Sequence, residues 1–212
     1  MRRCNSAGAE GEEGVSTRIL GLCPVCRVSG ANSNLPAKIE WRLFQHRTMN
    51  LHLRSVATDD LPLFFTYQRD PVASRMAAFG TANPDDREAF DAHWAYVLTE
   101  PLNVTRTVVC DGEVAGHVSS FLLLGEREVS YWIDRARWGR GIATAALRRF
   151  MAEQAERPLH ARAAKDNAAS IRILLKCGFA VCGEGRALAE ARGHEVDEFV
   201  FRLDGAPGPM PQ

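Results

Sequence analysis

"RARWGRGIATAALRRF", residues 135–150, sets two glycines one residue apart ahead of an alanine-rich run. The run from Gly141 to about Glu156 reads as a helix, so Gly139 and Gly141 lie in the turn that opens it. The first N–H groups of a helix have no partner inside it, and that end attracts anions. Glycine lets the backbone pass close to a phosphate that a Cβ would hold off. Arg135, Arg137, Arg140, Arg148 and Arg149 crowd the same stretch, offset by Asp134.

Three phosphate cradles compete for this pattern. The P-loop needs GxxxxGK[ST], which the chain lacks. "GRGIAT" comes close to the dinucleotide fingerprint GxGxxG, but Thr144 stands where the third glycine belongs. That fingerprint also follows the first strand of a βαβ unit and needs an acid about 20 residues on for the ribose. Here several strands come first, and the next strand, "LHARA", carries Arg162 instead of an acid.

Upstream, Leu51–Val56 alternates as a strand, and Thr58 or Asp59 caps a helix to about Tyr67. Asn83-Pro84-Asp85-Asp86 predicts the start of a second helix running to about Leu98. "TRTVVC" and "EVAGHVSSFLL" flank Asp111-Gly112 as a hairpin, and "EVSYWI", residues 128–133, is a further strand. Downstream, Asn167 to Cys177 is helical and stops at Gly178, and "FAVCGE" and "EVDEFVFRL" close with two strands. A central hairpin followed by strand, helix, strand, helix, strand is an α+β pattern with a mixed sheet.

Residues 1–48 have no sustained period and are rich in Gly, Ser, Asn and Ala. They read as a disordered extension, with Met49 the start of the folded pattern and the true start of the protein. Cys23 and Cys26 form a CxxC without two further ligands at zinc spacing, and belong to that extension. Residues 49–204 form the domain, and 205–212 a flexible Pro/Gly tail.

The totals are those of a globular protein: 212 residues, 46% hydrophobic, 25% charged. Its 26 basic and 26 acidic side chains balance, which argues against a nucleic-acid partner. No stretch approaches the ~20 apolar residues that span a bilayer. Six cysteines without framework spacing or a secretory signal point to free thiols and a cytoplasmic protein. No metal site is expected.

"YWIDRARWGRGIATAALRRF" followed by "DNAASIRILLKCGF" resembles the GNAT superfamily of acyl-CoA-dependent N-acetyltransferases over residues 51–203. That family's pyrophosphate loop, Gln/Arg-x-x-Gly-x-Gly/Ala, corresponds to Trp138, Gly139, Arg140, Gly141, Ile142 and Ala143. Within the family the chain looks like the branch holding ribosomal-protein N-terminal (alanine) acetyltransferases. The resemblance implies a mostly antiparallel twisted sheet flanked by about four helices, with a splayed strand pair forming the acyl-CoA cleft.

It also implies direct attack of a primary amine on acetyl-CoA, with no covalent acyl-enzyme. The amides from Gly139 to Thr144 would hold the pyrophosphate, with Arg137 and Arg140 adding charge. The strand end Tyr131, Trp132 and Ile133 would pair with the pantetheine arm, a backbone N–H near Ile133 would face the thioester oxygen, and Asn167 would bond the arm. The chain departs from the family pattern at Trp138, in place of Gln or Arg, and at Leu174, where many members carry a tyrosine that protonates the thiolate. Ser170, one turn before Leu174 on the same helix face, is then the candidate acid. Glu128, Glu190 and His117 remain alternatives for the base. The acceptor stays open between a protein N-terminus and a small amine, and the assembly between monomer and homodimer. Leu174 also admits a different class of function, a non-catalytic acyl-CoA-binding or sensor module.

Overall fold

The computed structural model describes residues 49–205. The extension with its CxxC and the end of the tail, residues 206–212, lie outside the described residues. Seven strands form one sheet in the order β1-β2-β3-β4-β5-β7-β6. They are β1 (Leu51–Ser55), β2 (Val104–Cys110), β3 (Glu113–Leu123), β4 (Glu126–Ile133), β5 (Leu159–Ala164), β6 (Ala180–Ala189) and β7 (His194–Leu203). Every neighbouring pair is antiparallel except β4 and β5.

Five α-helices accompany the sheet: α1 (Leu61–Gln68), α2 (Pro71–Ala77), α3 (Arg87–Thr99), α4 (Ile142–Glu153) and α5 (Ala168–Lys176). The extra helix is α2. Asp70 starts it by accepting hydrogen bonds from the N–H groups of Val72 and Ala73, with Pro71 at the first helical position. The second predicted helix begins later than the sequence suggests. Asn83 Oδ1 accepts from Asp85 N–H in a turn, and Asp86 makes the cap by accepting from Ala89 N–H.

Alternation along the strands sends one set of side chains to α4 and α5 and the other to α1 and α3. Val108, Val118, Val129, Leu159 and Phe201 pack with Ile142, Leu147, Phe150 and Met151 of α4. Full burial of each such side chain is worth about 1.5–3 kcal/mol. On the other face Phe64, Phe90 and Trp94 form a smaller aromatic cluster. At the base of β1, buried Asp60 accepts from Arg54 at 2.6 and 2.7 Å, from Thr107 Oγ1 at 2.6 Å and from Ala57 N–H at 2.9 Å. Burial opposes its charge, but these donors outweigh it and hold the carboxyl below the usual carboxylate range.

β4 and β5 pair over only two positions, Arg127 with Leu159 and Glu128 with His160. Beyond them the strands separate and leave a gap. Among the described residues no helix is long and apolar enough to cross a membrane.

Candidate active site

The gap opens into a cavity of about 690 Å³. β4 lines it from Val129 to Ile133, β5 from Ala161 to Ala163, the glycine loop at Trp138, Gly139 and Gly141, and α5 on one face from Asn167 to Lys176. Gly139 and Gly141 have φ of +74° and +78°, the left-handed region in which a side chain is strained. A Cβ at either position would meet nothing within 4 Å, so backbone conformation, not crowding, requires glycine there.

Gly141 is the N-cap of α4, and no side chain caps it. α2, α3 and α5 are capped by Asp70, Asp86 and Asn167. The first-turn amides of α4 are thus left for a partner from outside the helix, beside the basic side chains of Arg137, Arg172 and Lys176 that line the cavity. Arg172 and Lys176 are four apart on α5, a spacing that places them on one helix face and is legible in the sequence once α5 is known to border the gap.

The edge of β4 supplies the second feature. The Trp132 carbonyl faces Gly116 of β3, and Asp134 N–H donates to Ala115, so these groups turn toward β3. Alternation then turns the backbone groups of Tyr131 and Ile133 toward the gap, where β5 no longer reaches them. The Ile133 carbonyl accepts from the Trp138 indole N–H at 2.8 Å. Trp138 therefore ties the glycine loop to the end of β4 through its indole N–H.

The third feature is a pair of hydroxyls. Tyr131 Oη lies 2.8 Å from Ser170 Oγ, and both residues line the cavity. Burial pushes the Tyr131 phenol up to about 12, so it keeps its proton through the neutral range. Leu174 is buried, as is Cys177, whose Sγ is 3.8 Å from the Thr144 carbonyl.

Other candidates are placed differently. Arg140 does not line the cavity; its guanidinium reaches Asp111 at 3.3 Å. Arg137 lines it while pairing with Glu113 at 2.5 Å. Asn167 engages both ends of its amide: Oδ1 accepts from Ser170 N–H at 3.0 Å and Nδ2 donates to Met76 of α2 at 2.9 Å. Glu128 is buried with Arg162, whose Nε donates to it at 2.6 Å while Nη1 donates to Glu198 at 2.9 Å. Arg162 lines the cavity, whereas Glu128 does not. Glu190 is exposed in the turn between β6 and β7 and lines neither cavity. His117 lines a second cavity on the aromatic face. Among the described residues no cluster of His, Cys, Asp and Glu is arranged to hold a metal ion.

Residues 50–180 match the family model described as the acetyltransferase (GNAT) domain. No curated protein matches the chain. Among solved structures, the ribosomal-protein-alanine N-acetyltransferase from Brucella melitensis is 23% identical, over 72% of this chain and 99% of that one, with a TM-score of 0.61. Mycobacterium smegmatis RimJ in complex with CoA-disulfide is 19% identical over 73% and 81%, with a TM-score of 0.61. Spermidine N-acetyltransferase from Vibrio cholerae, in complex with CoA and spermine, is 15% identical over 73% and 95%, with a TM-score of 0.63. At these identities the structures show a shared fold, and the family model spans more than half of the sequence. The chain belongs to the GNAT acetyltransferase family.

Proposed function

We propose that the protein is an N-acetyltransferase that takes acetyl-CoA as acyl donor and passes the acetyl group to a primary amine within one ternary complex. The observation that carries this reading is the meeting of the unpaired β4 edge and the uncapped α4 N-terminus in one cavity. The amides from Gly139 to Thr144 would hold the pyrophosphate, and the basic side chains of Arg137, Arg172 and Lys176 would add charge. The free edge at Tyr131 and Ile133 would pair with the pantetheine arm. Asn167 would act by holding α2 against α5.

Acetyl-CoA supplies a thioester already activated for attack. The Ile133 N–H would stabilise negative charge on the carbonyl oxygen as the amine nitrogen bonds to carbon. As the carbon–sulfur bond breaks, Ser170, backed by Tyr131, would deliver a proton to the departing thiolate and be reprotonated from solvent. The proton released by the nitrogen passes to water. The hydroxyl pair supports catalysis over a sensor role despite Leu174, because a proton donor lines the cleft without it. The acceptor is a small amine or a protein N-terminus, the two kinds represented by the names of the structural neighbours.

Thiol release from acetyl-CoA across a panel of amines and peptides, with the products identified by mass spectrometry, tests the reading. N-acetylated product supports it. CoA binding with no transfer to any acceptor supports the sensor instead.

A further inference from the structure

A second cavity, of about 380 Å³, adjoins the cleft at Phe79, Gly80 and Trp132. Its walls are aromatic: the His117 ring lies 4.9 Å from that of Phe64 and 5.0 Å from that of Trp94, centroid to centroid. Several polar side chains in the wall already have partners. Gln68 Nε2 donates to the Pro84 carbonyl at 2.9 Å, Ser74 Oγ to that of Gln68 at 2.9 Å, and Thr81 Oγ1 to that of Asn83 at 3.3 Å.

Two of its polar atoms are both buried and without a partner. His117 Nδ1 and Trp132 Nε1 are buried without a hydrogen-bond partner among the described residues. Neither of these atoms is exposed to the cavity; what the wall presents to an occupant is the accessible part of the half-buried His117 ring, the His93 ring and the Asp86 carboxylate. Burial, with a smaller push from His93, takes the His117 imidazole down to about 4, so the ring is neutral and offers one donor and one acceptor. One carboxylate, Asp86, lines the cavity, and its Oδ1 already caps α3.

We infer that this cavity is the acceptor site and that it takes a primary monoamine carried on an aromatic or apolar skeleton, with the nitrogen hydrogen-bonded by His117. The inference rests on the transferase reading, since Trp132 and Phe79 belong to both cavities and the amine must reach the thioester past them. A polyamine needs carboxylates along its length, where this wall has one. A peptide N-terminus brings a run of amides and carbonyls, whereas most of the wall is apolar: Phe64, Phe79, Ala89, Phe90, Trp94 and Trp132. A volume of this size suits a small organic molecule, and flat rings favour stacking against one.

Trp94 and Trp132 both line the cavity and report on it directly. The full chain holding CoA is titrated with 2-phenylethylamine, spermidine and a short peptide with a free N-terminal alanine, following tryptophan fluorescence. Parallel reactions with acetyl-CoA are analysed by mass spectrometry. Saturable quenching by 2-phenylethylamine is expected, with a Kd at least about tenfold below those of the other two. His117→Leu should weaken it about tenfold, the loss of one hydrogen bond. Phe79→Ala, at a partly exposed wall residue, should weaken it as well and provides a second reading if the His117 variant fails to fold. Absence of saturable quenching by the arylalkyl amine, or tighter binding of spermidine or the peptide, overturns the inference. Binding of the arylalkyl amine with no acetylation of any amine upholds the pocket and sinks the transferase reading; acetylation of spermidine or the peptide alone does the reverse.

Discussion

The hydroxyl of Tyr131 on β4 and that of Ser170 on α5 lie 2.8 Å apart across the cleft, drawn from elements 39 residues apart in sequence. Removing each oxygen separates their parts. Ser170→Ala should lower kcat about 10²–10⁴-fold, the range for loss of a general acid. Tyr131→Phe keeps the ring and should cost about tenfold, the equivalent of one hydrogen bond. CoA affinity should hold in both. A Ser170→Ala enzyme with unchanged kcat across the pH range would remove Ser170 from the reaction.

Gly141 should tolerate no side chain. Gly141→Ala puts a Cβ on a residue at φ +78°, at a cost of about 1–2 kcal/mol, and distorts the turn that presents the α4 amides. Gly141→Asp adds a negative charge at the same place and should abolish CoA binding by calorimetry. A folded Gly141→Asp protein that binds CoA normally would show that the phosphates lie elsewhere.

Glu128→Gln should lower stability far more than it lowers turnover. The buried carboxylate faces Arg162 at 2.6 Å; Arg162 keeps Glu198 as a partner, so losing the charge at 128 should cost about 1–3 kcal/mol. Chemical denaturation should show the loss, while kcat of the folded fraction stays within a few-fold of the parent. A large fall in kcat, with a pH profile shifted and stability intact, would restore Glu128 as a base.

Asp60 should govern the acid limb of stability. Its folded pKa is depressed, so its contribution is complete above the ordinary carboxylate value of 3.8 and is lost as pH falls through the lower folded value. Asp60→Ala should cost at least about 1–3 kcal/mol at pH 7, because it also orphans the buried Thr107 hydroxyl. That penalty should shrink below pH 3.8. A penalty equal at pH 7 and pH 3 would mean that the charge contributes nothing.

What could be read in the chain before folding was local. The turn that opens α4 was legible because two glycines and a helical run lie within a few residues. So was the hairpin at Asp111-Gly112, and Asn167 as a cap. Contacts from distant elements were not. Nothing near Glu128 signals that Arg162, across the start of the gap, claims its carboxylate. Arg140 sits in the cradle loop, yet Asp111 of the β2–β3 turn draws it away. Position 174, where the family's tyrosine would stand, lies on α5, while the phenol that reaches Ser170 comes from β4. The seven residues of α2 give little periodicity, and only the Asp70-Pro71 cap and first-turn pattern signals it in the sequence.

The indole of Trp138, hydrogen-bonded to the carbonyl of Ile133, links the loop and the strand end as two sides of one gauge. One jaw is the set of amides that would grip the phosphates, the other the N–H that would polarise the carbonyl, and their separation is fixed before any donor arrives. On the proposed reading, a donor whose arm is shorter or longer than that span would seat one end in the cleft, but not both.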